Sequence, residues 1–235
     1  MQTKESHELR WGGLAGIGAL VVGLLGRLVM GNAPSIHDPA LVIAGYLSGH
    51  RTQILTAALL FAIASMLFLW FGVALATAFR RADENSDTPG LVLAGFVLVT
   101  ALGFIGVAVF AGLTYAMTAH PALLAVAAGP YTALTVMGGI AGVAVAGTFG
   151  AVAAAIMHTR VFPMWMAWFA VAVAAIRLLA AAMIGSTGGA LSPDGPLMVI
   201  LPGLLTAAWV LVASWLLIRE HLPVPSAGAK PVMGH

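Results

Sequence analysis

The chain has 235 residues, 61% hydrophobic and 8% charged, with a mean hydropathy of +1.03 and a formal charge of +2. Soluble domains carry about 25% charged residues, so this balance belongs to the membrane class. It excludes a nucleic-acid surface, since the only lysines are Lys4 and Lys230 and no basic cluster exists; the lack of cysteine excludes disulfides, thiolate metal sites and cysteine nucleophiles.

A helix needs roughly 20 mostly apolar residues to cross the hydrocarbon core. Residues 1–10 form a polar N-terminal segment, and 11–30 is the first stretch long enough to span. Its apolar run is long and no small-residue cleavage site follows, which argues against a cleaved signal peptide. In "SIHDPALVIAGYLSGHRTQ", Asp38 followed by Pro39 reads as a helix cap with proline at the first helical position. Ala40 to Leu47 is too short to span and too apolar to float free. It is expected as a short helix at the outer interface, or folded back as a lid.

Five more spans follow at 52–79, 91–117, 131–157, 163–185 and 196–218. "RRADENSDTPG" reads as a solvated turn ending in a Pro-Gly breaker, and the Pro- and Gly-rich tail 219–235 as disordered. The whole of 11–218 is thus one transmembrane domain, an all-α polytopic bundle of six helices with an interfacial helix between the first two spans. Lys4, Arg10, Arg80, Arg81, Arg160, Arg219 and Lys230 fall on one face, against Arg51 alone in the opposite loops. The positive-inside rule then places both termini in the cytoplasm.

Packing in lipid relies on close backbone approach, and the 28 glycines serve it. Gly12 and Gly16 in "WGGLAGIG" form a small-xxx-small pair, as do Gly138 and Gly142 in "MGGIAGVA". Such faces also offer contacts for a homo-oligomer or for other membrane subunits. Trp11, Trp165 and Trp168 sit where an aromatic belt belongs, with Met164 and Met166 as packing residues. Thr114, Thr135, Thr148 and Ser65, mid-span, can bond back to their own helices.

The spans hold no Asp or Glu, yet Arg27 lies about a turn from the outer end of the first and Arg177 about eight residues before the outer end of the fifth. Arg27 either snorkels to the headgroups or turns inward. Arg177 is too deep to snorkel, so it faces the bundle interior. Its partner is either an inward-folded loop carboxylate, Asp38 or Asp194, or an anionic ligand in a positive cavity shared with Arg27 and Arg51. His37, His50 and His120 stand on the same side without metal-ligand spacing, so no metal and no cofactor is expected. His158 and His221 end spans near helix C-termini, where imidazolium is favourable.

The order of a glycine-rich first span, a proline-bearing outer segment with "GHRTQIL", the turn "FRRAD" and "VFPMWMAWFAVAVAAIRLL" resembles the small six-helix integral membrane proteins of unknown function common in actinobacteria. The resemblance covers roughly residues 10 to 218. It implies the topology and a bacterial inner membrane, and carries over no catalytic residue.

Three functional readings fit these residues. The first is binding or transport of a lipid-like or anionic small molecule in an outward-facing cavity, with Arg27, Arg177, Arg51, Asp38, His37 and His50 as ligand contacts and membrane lipids as partners. The second is a non-catalytic accessory or scaffold subunit of a larger membrane complex. The third is a lipid-modifying enzyme using an outer histidine as acid or base.

Overall fold

A computed structural model describes residues 2–186 and 195–219. Its helices are α1 (Gln2–Met30), α2 (Ala40–Gly49), α3 (Arg51–Ala82), α4 (Thr88–Ala119), α5 (Ala128–Thr159), α6 (Met164–Ala182) and α7 (Pro196–Ile218), with 3-10 turns at Pro121–Val126 and Met183–Gly185. All but α2 are long and apolar enough to cross a membrane, and no described residue is in a strand. The expected all-α multi-pass bundle is therefore the observed one, with its short helix after the first span.

The helices outrun the apolar windows where polar residues still favour helix. α3 continues through Arg80 and Arg81, good helix formers, and stops at extended Asp83. α4 then opens at Thr88 with Pro89 in its first turn, so the connecting turn is shorter than its composition suggests. The segment before the first span is likewise helical from Gln2, continuous with the span itself. The tail from 220 onward, including His221 and Lys230, and the loop carboxylate Asp194 lie outside the described residues.

The spans run antiparallel in chain order and close into a ring. A Cβ at Gly12 would strike Ala74 and one at Gly26 would press on Phe61, which joins α1 to α3. Gly72 takes the Phe96 ring (α3 to α4), Gly95 takes Thr148 (α4 to α5), and Gly142 faces the Arg177 backbone (α5 to α6). The Trp209 indole donates to the Met166 carbonyl at 3.0 Å, tying α7 to α6. Gly13 and Gly16 receive Ser214, returning α7 to α1.

This ring is filled unevenly. At the end bearing Arg10, Arg80, Arg81, Arg160 and Arg219, buried Phe71, Phe79, Phe96, Phe149, Phe162 and Trp209 make one continuous core. Phe149 meets Trp209 edge-on at 5.1 Å and Phe79 meets Phe162 at 5.9 Å, geometries that aromatic quadrupoles favour. A smaller cluster of Ile43, Ala44, Leu47, Ile54, Leu113, Met117 and Tyr131 sits at the opposite end beneath α2. Trp11, Trp165 and Trp168 point outward around the arginine-rich end, as an aromatic belt does. Met166 is core packing. Between the two clusters lies an open groove lined by four glycines among larger apolar side chains.

Candidate functional site

The α2 end is built from carbonyl-seeking side chains. α1 ends at Gly31, whose φ of +67° is the left-handed conformation that closes a helix and suits glycine. The Arg27 guanidinium donates to the Gly31 carbonyl at 2.6 Å and is otherwise exposed. Tyr46 donates to the Met30 carbonyl at 2.9 Å, and Tyr131 reaches 97 residues back to the Pro34 carbonyl at 2.8 Å. Asp38 is not a helix cap: its carboxylate accepts the Ser35 amide at 2.8 Å, closing a tight turn, and Pro39 stands at the N-cap instead. The proline fixes φ at −54° and leaves no amide to satisfy.

α2 packs one face against the bundle end. It buries Ile43, Ala44 and Leu47 while Leu41 and Val42 face outward. His50, between α2 and α3, stacks on Tyr46 at 5.2 Å with Nδ1 3.2 Å from the Tyr46 carbonyl. Arg51 lies over the Tyr115 ring at 4.5 Å, a cation–π contact. His37 is exposed, its amide donating to the Ser35 hydroxyl at 3.2 Å. Burial raises the Tyr46 hydroxyl above the ordinary tyrosine pKa, and the nearby positive charge of Arg27 partly opposes this.

Arg177 belongs to a different place. A cavity of about 570 Å³ lies between α4 and α5 and reaches α1, α3 and α6. Gly103 and Gly106 on α4 and Gly138, Ala141 and Gly142 on α5 stand in its walls among larger apolar side chains. Met30, Phe110 and Leu134 bound it beneath the α2 cluster, and Val99 and Val145 bound it toward the aromatic core. A second cavity of about 250 Å³ shares Gly138, Gly142 and Arg177 and extends to Ile184 and Val199. A third of about 380 Å³ shares Phe61, Val99, Gly103 and Val107 with the first and adds Ser65 and Thr100.

Arg177 thus lines both of the first two cavities and, among the described residues, is the only ionisable one that does. Its Nε and Nη2 both donate to the Thr206 hydroxyl, at 3.1 and 2.9 Å, and that hydroxyl donates to the Pro202 carbonyl at 2.6 Å. A hydroxyl has one proton and two lone pairs, and all three are engaged here. Thr206 is thus a neutral partner: among the described residues no carboxylate pairs with Arg177, Asp38 being engaged at Ser35, while Asp194 lies outside them.

Comparison with protein-family models, curated proteins and solved structures gives no match. Chemistry must therefore be read from the cavities. They bring Arg177 together with glycine, aliphatic and aromatic residues. They exclude Arg27, Arg51, Asp38, His37 and His50, which the α2 end holds by local contacts. Among the described residues no three His, Asp or Glu converge as metal ligands. Sequence reasoning missed Thr206 and the open face of Gly138. Thr206 has one readable signal, its position four residues after a mid-helix proline.

Proposed function

We propose that this chain is a membrane protein that binds or carries an amphiphilic anion, the anionic group meeting Arg177 and the apolar part filling the cavity between α4 and α5. The observation that supports this reading is a half-buried arginine in the wall of an apolar groove, its guanidinium bonded, among the described residues, to a hydroxyl alone. An intramembrane charge costs about 2.5–3.5 kcal/mol on insertion scales, and such charges mark ligand or ion pathways. Ligand cavities of roughly 300–1,000 Å³ with few polar groups are the usual form. The same reading puts the chain in a bacterial inner membrane with both ends cytoplasmic. It rests there on the arginine-rich end of the bundle and on the resemblance to actinobacterial six-helix proteins.

The test is a native mass spectrum of the chain released from lipid particles. The expected spectrum shows a retained anionic lipid or metabolite that disappears in Arg177→Ala, with helicity and melting behaviour kept. A variant that keeps the ligand, or a wild-type chain that carries none under any loading, sinks the proposal.

A subunit role is the second reading, and one observation favours it. Gly147 and Gly150 on α5 face outward with open space where a Cβ would be, as helices that pack on another membrane chain do. A protein that co-purifies in gentle detergent and is lost in Gly147→Leu would favour it. The enzyme reading gains nothing here, because no acid, base or thiol among the described residues lines the cavities with Arg177.

A further inference from the structure

Resting on that reading, we infer the class of the occupant: a single-chain monocarboxylate, a fatty-acid-like anion, with its carboxylate on Arg177 and its hydrocarbon along the α4–α5 groove. Charge selects the head. One guanidinium neutralises one negative charge, and no other ionisable side chain among the described residues lines the space. A phosphate monoester would bring a second charge into an apolar wall with nothing to pair it.

Geometry selects a planar head. Thr206 occupies Nε and one hydrogen of Nη2, which leaves the Nη1–Nη2 edge with two parallel N–H groups. That edge matches the two oxygens of a carboxylate. Among the described residues the main cavity offers no polar side chain besides Arg177, so the hydroxyls of a sugar or glycerol head would go unsatisfied.

The groove selects a slender tail. Its α5 wall runs from Leu134 to Val145 and its α4 wall from Val99 to Phe110, about 16 Å each at 1.5 Å per residue. Glycines stand in both walls. At Gly138 an added Cβ meets nothing within 4 Å, so a larger side chain there enters the groove without displacing a helix.

The experiment measures affinities of straight-chain carboxylates of increasing length for the full chain in lipid particles, by displacement of a fluorescent fatty acid. Affinity is expected to rise about fourfold per methylene and then level off when the groove is full. In Gly138→Leu the levelling moves to shorter chains, a change in the length profile that a uniform loss through destabilisation would not give. Arg177→Gln is expected to weaken carboxylates roughly tenfold to a hundredfold and to leave alcohols of the same length unchanged. Tighter binding of alkyl phosphates than of carboxylates, affinity flat in chain length, or an unmoved plateau in Gly138→Leu would overturn the inference and leave anion binding standing. Loss of any Arg177-dependent binding would remove the underlying reading as well.

Discussion

The Tyr46 hydroxyl donates to the end of α1 while its ring stacks on His50, so a single proton holds α2 to the last turn of the first span. Its raised pKa means the folded protein keeps that proton to higher pH than the unfolded chain does. The contribution to stability is complete below the ordinary tyrosine value of about 10 and is lost as pH rises through the folded value. An ultraviolet difference titration of wild type against Tyr46→Phe should give a midpoint above about 10 for this group. A midpoint at or below it would mean that burial is not felt at the hydroxyl. Sequence left Arg27 between two fates, since its depth of one turn suits either a headgroup or a cavity. In the structure its guanidinium bonds the Gly31 carbonyl at the end of its own helix. Arg177 was legible as an inward-facing charge, but its partner was not. Mid-span threonines bond back to their own helices, as Thr114, Thr135, Thr148 and Ser65 do, and so does Thr206. Nothing in the sequence says that one of them also accepts from another helix.

Helices display the same ambiguity in their glycines. Gly12 and Gly16 have the spacing of Gly138 and Gly142, yet Gly16 is crowded by Ser214 and Phe71 while Gly138 opens on a cavity. Spacing reports that a face is small; it does not report what stands opposite. Gly16→Ala should therefore cost roughly 1–3 kcal/mol by overpacking. Gly147→Ala, whose Cβ meets open space, should be neutral or stabilising by up to about 1 kcal/mol through helix propensity. Thermal melts of both variants in one detergent check the pair, and equal melting points would mean that the α1–α7 contact is looser than described. Span existence, order and short connections were readable, because length and hydropathy alone determine them. The ends shifted where Arg80, Arg81 and the polar N-terminal residues prolonged helices beyond their apolar windows.

At the scale of the molecule, one half of the ring is an aromatic core and the other carries a groove with glycines in its walls beneath α2. No hydropathy profile carries that division, since phenylalanine and glycine faces both read as membrane. The clamp across α6 and α7 also has a place in time. Thr206 follows Arg177 by 29 residues, so a ribosome working at about 5–20 residues per second delivers the guanidinium to the bilayer a few seconds before its hydroxyl partner. During that interval α6 carries an unrelieved charge near the membrane middle. A chain truncated after α6 should insert that helix less completely than the full chain, and Thr206→Val should show part of the defect, both readable by engineered glycosylation sites. Equal insertion in all three would mean that α6 enters unaided. Otherwise the translocon must hold α6 until α7 arrives, and the two helices leave it for the lipid as a hairpin.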